Sequence, residues 1–252
     1  MRNYNMERYE LEKYKEKLQY NLAQLELDYY QHQILSKLYK KFNTIYFKGG
    51  TCLQKCYGIK RFSEDLDFNY TNISISQIIE FIEKSNNTKV TNLYKTQFGT
   101  SFSIKLKGIL YSGDPRTLCK ISFDFRENDI YQKPMKKIIR PIYSDLNTYF
   151  LLSLNEDEIL AEKVRAIITR YKARDVFDLN ELLLNGTKVN FDLINKKLKT
   201  YDLSFNNKLF KEKIEEKEKI YVGEMSKLVK IYPTFKECKN RILTNIKQSN
   251  LQ

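Results

Sequence analysis

Between residues 44 and 68 the sequence runs from a β-branched and aromatic stretch, Thr44-Ile45-Tyr46-Phe47, through Gly49-Gly50 to the alternation Asp65-Leu66-Asp67-Phe68. In an extended segment residues i and i+2 share a side, so Asp65 and Asp67 face one way while Leu66 and Phe68 enter a core. The chain must therefore build a sheet with one buried and one polar face. Two carboxylates ~5 Å apart repel by roughly 3 kcal/mol at an effective dielectric of about 20. A divalent cation relieves that repulsion, and the alternative is an Asp-x-Asp on a solvent-facing edge strand.

A third acid sharpens the pattern. Ile121-Ser122-Phe123-Asp124-Phe125-Arg126 also alternates, which puts Asp124 on a polar face with Ser122 and Arg126. If this strand lies beside Asp65-Leu66-Asp67, three carboxylates converge, a set that can bridge two Mg²⁺ ions. The competing reading pairs Asp124 with Arg126 or Lys120. Gly49-Gly50-Thr51 sits between strand and helix, with Thr51 expected to cap a helix through Tyr57 that Gly58 closes. Glycine there lets a backbone approach oxyanions at a helix N-terminus, although Gly-Gly is often only a turn and no Walker A spacing follows.

The remaining chain reads as α+β. Residues 7–42 lack Gly and Pro and predict one long or two successive helices. Ser74 caps a predicted helix from Ile75 to about Lys84, and extended runs follow at 90–97, 101–110 and 117–126. After Pro141 the character turns helical, with helices expected over 155–171 and 175–184 and a lysine-rich, helix-prone remainder. The expected division is a mixed-sheet core with N-terminal helices over 1–145 and a helical part over 146–252.

Composition removes several chemistries. One histidine and four cysteines supply too few soft ligands for a structural zinc site, a disulfide framework or histidine-based catalysis. Carboxylates, lysine, hydroxyls and a hard metal ion remain. No stretch approaches the roughly 20 apolar residues of a membrane span, and the N-terminus lacks the apolar region of a signal peptide, so a cytoplasmic location is expected. A net charge of +13 favours polyanions, and 19 Tyr and 15 Phe offer stacking surfaces as well as core, pointing to contact with nucleic acid.

Taken together, Lys48-Gly49-Gly50-Thr51, Arg61-Phe62-Ser63-Glu64-Asp65-Leu66-Asp67-Phe68, Glu162-Lys163-Val164-Arg165-Ala166 and Arg174-Asp175-Val176-Phe177-Asp178-Leu179 resemble, in order and separation, the four motifs of the AbiEii/AbiGii nucleotidyltransferase toxins. That family includes the MenT-type toxins and belongs to the DNA polymerase β-like nucleotidyltransferase superfamily. The resemblance covers about residues 40–185 and implies a polymerase β-like core with Mg²⁺-dependent (or Mn²⁺-dependent) transfer of a nucleotide from an NTP. On that basis Asp65 and Asp67 are expected to hold the metal, Lys48, Gly49, Gly50 and Thr51 to seat the NTP, Lys163 to meet the donor phosphates, and Asp178 to orient Lys163 or the nucleotide within the cleft. The alternating strand adds Asp124, to complete the metal site or to assist deprotonation of the acceptor hydroxyl, and Arg61 and Ser63, next to the acids, are placed to contact the triphosphate of the NTP.

Lys163 also lies within the apolar stripe of its predicted helix, where snorkelling to the surface is the plainer explanation. Asp175 is expected to pair with an arginine or to cap the next helix, and Arg165 and Arg170 to be structural or on the surface. MenT-type relatives modify the 3′ acceptor end of tRNA, which makes tRNA the implied acceptor and blocked translation the implied toxicity, in a toxin–antitoxin or abortive-infection phage-defence system. A cognate antitoxin encoded nearby is implied, with a kinase in some systems that would modify a serine at the position of Ser63. Nucleotidylation of a protein hydroxyl, or an inactive NTP- or RNA-binding module, are the alternatives.

Overall fold

The computed structural model describes residues 6–127 and 130–249. The chain divides into two compact units, the first comprising Met1–Cys56, Phe62–Ile130 and Pro134–Ser153, the second Tyr57–Arg61, Tyr131–Lys133 and Leu154–Gln252.

The first unit opens with two short helices, α1 (Arg8–Glu12) and α2 (Lys15–Leu18), and a long one, α3 (Leu22–Lys41). The sequence expectation of one or two helices thus resolves into three. Gln19, in the left-handed conformation, ends α2. Asn21 then starts α3 by accepting a hydrogen bond from the Gln24 amide at 2.9 Å. There follow β1 (Ile45–Lys48), α4 (Gly49–Tyr57), β2 (Leu66–Tyr70), α5 (Ile75–Asn86), β3 (Val90–Thr96), β4 (Gly99–Leu106), β5 (Cys119–Arg126), β6 (Met135–Ile139) and β7 (Tyr149–Ser153).

The seven strands form one mixed sheet in the order β3-β4-β5-β2-β1-β7-β6. β2 pairs parallel with β5 and β1 parallel with β7, while the other pairs are antiparallel. Strict alternation decides which face is buried. Phe47, Leu66, Phe68, Phe102, Ile104, Ile121, Phe123 and Phe125 all point to the core beneath α3 and α5. Phe68 stacks on Phe125 at 4.7 Å between ring centroids, and Phe102 on Phe123 at 5.0 Å. Each such ring, fully removed from water, contributes about 1.5–3 kcal/mol of burial. The packing locks the register, because a one-residue slip would turn the rings outward and the acids inward.

A buried polar cluster joins α3 to α4. Asp28 on α3 accepts from Lys55 Nζ at 2.6 Å and from the Tyr143 hydroxyl at 2.9 Å, and its carboxylate lies 3.7 Å from His32 Nε2. The other His32 ring nitrogen meets the Tyr149 hydroxyl at 2.9 Å. Helix α4, whose first residues are Gly49 and Gly50, is therefore anchored near its C-terminal end.

The second unit consists of α6 (Glu156–Thr169), α7 (Arg174–Leu184), α8 (Phe191–Lys199), α9 (Asn207–Glu215), α10 (Glu218–Leu228) and α11 (Phe235–Ser249). Helix α6 is capped by the Asn155 side chain and packs on α7, α8 and α9; α7 packs on α10 and α11. Ile159, Val164, Ile167, Val176, Leu179, Phe210, Met225 and Ile242 are buried in its core. Asp175 is not the cap of α7. The helix starts one residue earlier, and Glu224 accepts from the Ala173 amide at 2.6 Å, a cap supplied from α10.

Burial pushes the His32 imidazole down to about 3, assisted by the Lys55 ammonium and opposed by Asp28. Its ring stays neutral in the fold but gains a proton on unfolding below its ordinary value of 6.5. The unfolded chain then binds more protons, so stability drops as pH falls across that interval, by up to about 1.4 kcal/mol per pH unit for one group. Urea unfolding between pH 7 and pH 5 should show a stability loss in wild type that His32→Gln makes shallower. Parallel pH profiles for the two proteins would refute the assignment.

Candidate active site

The polar face of the first unit's sheet gathers the chemistry in one transverse row. Lys48 of β1 is the register partner of Asp67 on β2, Asp67 of Asp124 on β5, and Asp124 of Ser101 on β4. Partners in a sheet share a side and neighbouring strands lie about 4.8 Å apart, so the two carboxylates stand side by side. Neither can leave, since Leu66, Phe68, Phe123 and Phe125 hold both strands from beneath.

Glycine at 49 is required twice. Its φ is +75°, and a β-carbon there would overlap the Asp67 carboxylate. Helix α4 begins directly at Gly49, so Thr51 lies inside its first turn and is not the expected cap. The Thr51 hydroxyl instead donates to the Asp65 carbonyl at 2.5 Å. Gln31, fully buried on α3, donates to the carbonyls of Ser63 at 3.1 Å and Glu64 at 2.8 Å. Side chains of two helices thus pin the segment that leads into β2. Gln31 carries no sequence signal, because a glutamine inside an amphipathic helix reads as surface.

Asp124 accepts from Arg126 Nε at 2.9 Å and from the Ser101 hydroxyl at 3.1 Å. The pairing with Arg126 and the place beside Asp67 hold together. Asp65 lies just ahead of β2 and is exposed, and among the described residues no group of three or more His, Cys, Asp or Glu side chains is gathered to hold a metal ion. The adjacent pair is Asp67 and Asp124. Two carboxylates nonetheless fit magnesium, which is commonly held by one or two of them and completes its shell with water and substrate phosphates. The ligand atoms these two residues offer are oxygens, which suit that ion. The Asn69 amide, fully buried two residues beyond Asp67, lacks a hydrogen-bond partner among the described residues and adds polar capacity at this face.

The second unit holds the other sequence-predicted residues in a buried ion network. Arg61 grips Asp178 through two bonds, Nε to Oδ1 at 2.5 Å and Nη2 to Oδ2 at 2.7 Å. Lys163 Nζ lies 2.6 Å from Asp178 Oδ2 and 3.1 Å from Asp175 Oδ1. Arg170 completes the series with two bonds of 2.7 Å to Asp175. Lys163 is 5% exposed, so it does not snorkel, and Arg61 is 3% exposed with its guanidinium engaged by Asp178. Three cations thus face two carboxylates along this series. Burial pushes the Asp178 carboxyl up, but the Arg61 and Lys163 charges outweigh it and hold it below the usual carboxylate range. Asp175 is held low in the same way by Lys163 and Arg170. Arg165 donates to the Tyr201 hydroxyl at 3.1 Å.

Comparison with known proteins places this architecture. The family model described as nucleotidyl transferase AbiEii toxin, type IV toxin–antitoxin system, matches residues 33–240. Among solved structures the chain resembles MenT4, a nucleotidyltransferase toxin of Mycobacterium tuberculosis H37Rv, at 18% identity and a TM-score of 0.66, covering 96% of this chain and 88% of that one. A putative nucleotidyltransferase of Helicobacter pylori matches at 18% identity and a TM-score of 0.55, covering 90% and 97%. JHP933 of the same organism gives 18% and 0.52, covering 90% and 95%. No match is found among curated proteins.

Asp178→Asn at pH 7 leaves Arg61 and Lys163 without their shared anion and should cost about 3–5 kcal/mol in urea unfolding. Because the folded Asp178 carboxyl is depressed, its contribution is present above the ordinary value of 3.8 and is lost as pH falls through the folded one. The gap between wild type and variant should therefore narrow below about pH 4. A gap independent of pH would contradict the network. Gly49→Ala should cost about 1–3 kcal/mol through the positive φ alone; unchanged thermal stability in that variant would contradict the close approach to Asp67.

Proposed function

The chain belongs to the AbiEii nucleotidyltransferase toxin family of type IV toxin–antitoxin systems, and on that footing we propose that it moves a nucleotide from an NTP to the 3′ end of RNA, with tRNA as acceptor. The observation that carries this reading is the row Lys48, Asp67, Asp124 with Gly49 packed against Asp67. Side-by-side carboxylates on rigid strands, next to a helix that starts with two glycines, suit metal-assisted transfer at a phosphate.

In this reading Asp67 and Asp124 hold Mg²⁺, or Mn²⁺ in its place, with Asp65 able to join them once substrate is present. The ion, when bound, polarises the donor phosphate and eases ionisation of the attacking hydroxyl. The chain's own residues do the rest. The first amides of α4, at Gly49, Gly50 and Thr51, have no partners within the helix and present a positive dipole end to phosphate oxygens. Lys48 adds positive charge beside Asp67. Ser101 and Arg126 orient the Asp124 carboxylate, leaving lone pairs on both oxygens for a further partner. Lys163, which the family resemblance assigns to the donor phosphates, is held between Asp175 and Asp178, and Arg61 sets the position of Asp178.

Blocking the 3′ end of tRNA would stop aminoacylation and hence translation, which accounts for toxicity and for a role in phage defence. The family's type IV assignment brings an antitoxin partner. Among the described residues no helix is long and apolar enough to cross a membrane; a tRNA acceptor would put the activity in the cytoplasm.

Purified protein incubated with each labelled NTP, Mg²⁺ and total RNA should label a ribonuclease-sensitive, protease-resistant product. Asp67→Asn and Asp124→Asn should each lower the rate by about a hundredfold or more, since loss of several kcal/mol of metal assistance is tenfold per 1.36 kcal/mol. Protease-sensitive label would instead establish a protein hydroxyl as acceptor. Nucleotide binding without product at any Mg²⁺ or Mn²⁺ concentration would establish an inactive binding module.

A further inference from the structure

The polar row does not end at the acids. Along β4 and β5 the same face carries three successive pairs, Ser101 with Asp124, Ser103 with Ser122, and Lys105 with Lys120. Hydrogen bonds fix the shared side: Ser101 Oγ donates to Asp124 Oδ2 at 3.1 Å, and the Ser103 and Ser122 hydroxyls lie 3.4 Å apart. Lys105 and Lys120 are both exposed and stand directly opposite each other. Like charges in that position destabilise a sheet. Alternation also forces Lys120 onto the face of Asp124, four residues or about 13 Å along the strand.

A second feature completes the face. β3 carries an irregularity between Thr91 and Tyr94, where Asn92 takes a φ of 53°. The bulge brings Tyr94 into register with Ser101, and hence into the row of Asp67 and Asp124. Tyr94 is 65% exposed, a large ring on the polar side of a sheet whose other side holds the core. Two strand spacings, about 10 Å, separate it from Asp124. An aromatic platform, a line of hydroxyls and two confronted lysines converge beside the acids.

We propose that this face of β3, β4 and β5 seats the unpaired 3′ end of the RNA acceptor, Tyr94 stacking on a base near the reacting end and Lys105 with Lys120 clamping a phosphodiester further upstream. The inference rests on the RNA-acceptor reading above. A phosphate between the two lysines cancels their repulsion, which gives the confronted pair a physical purpose. Stacking on Tyr94 tolerates any base, and the partly exposed hydroxyls of Ser101 and Ser122 can meet ribose or phosphate oxygens, while Ser103 beneath them is buried, so the face binds a single strand with little sequence preference.

Steady-state transfer with saturating NTP and varied RNA tests it. The double variant Lys105→Ala, Lys120→Ala should raise KM for RNA about tenfold and flatten its salt dependence by about 0.7 in logarithmic slope for each phosphate the variant no longer neutralises. Tyr94→Ala should raise the same KM about five- to a hundredfold, and Tyr94→Phe should recover most of that loss. KM for the NTP should move in none of them. Lys40→Ala with Lys41→Ala removes equal charge from the end of α3, the helix that covers the opposite face of the sheet, and should leave KM for RNA as in wild type. With wild type labelling RNA, an unchanged KM in both the lysine and Tyr94→Ala variants overturns this inference alone. So does an equal loss in the Lys40, Lys41 control. Wild type that labels only protein overturns it together with the RNA reading.

Discussion

Two negatively charged side chains are kept side by side because the rings beneath them cannot move. Asp67 and Asp124 are register partners on parallel strands, and the stacked Phe68 and Phe125 fix that register from the buried face. The repulsion between the acids, roughly 3 kcal/mol at ~5 Å in an effective dielectric of about 20, is opposed by hydrophobic burial on the other side. Lys48 beside Asp67 and Arg126 on Asp124 supply local positive charge. The consequence reaches outward from this pair. Residue 49 must be glycine to clear Asp67, α4 must start there, and Asp28 with Lys55 must hold that helix in place.

The second unit solves a different electrostatic problem. Its charged residues are paired inside a helical core, Arg61, Asp178, Lys163, Asp175 and Arg170 forming one continuous series. Such a network adds little net stability over an apolar core, but breaking one member is costly. It therefore specifies geometry. Lys163 is held in one orientation by two carboxylates on the next helix, which is how a flexible side chain becomes a fixed charge. Lys217 plays a related structural part, donating from a buried position to the carbonyls of Ile167 at 2.7 Å and Lys213 at 2.8 Å.

What is legible in the amino-acid sequence follows from range. Alternation over 121–126 reveals β5 and the face of Asp124 because period-two patterning is local. The four motifs reveal the family and with it the mixed-sheet fold. Thr51 reads wrongly as a cap because Gly49 can itself begin a helix at a positive φ, which no sequence pattern announces. Strand β7 escapes the pattern because Tyr149-Phe150-Leu151-Leu152-Ser153 is a short apolar run whose identity is set by pairing with β1 and β6. Asp175 is legible as an arginine partner, whereas the bond between Arg61 and Asp178 spans 117 residues and becomes visible only in three dimensions. The adjacency of Asp67 and Asp124 has the same standing: each acid is legible, but their parallel pairing is not.

The central claim is that this adjacency serves a divalent cation. Titrating Mn²⁺ into the purified protein with an NTP analogue that cannot react, and reading free Mn²⁺ by electron paramagnetic resonance, measures it directly. Saturable Mn²⁺ binding is predicted in wild type, weakened at least about tenfold by either Asp67→Asn or Asp124→Asn alone, as the loss of one of two carboxylate ligands requires. Binding of wild-type strength in both variants would contradict it.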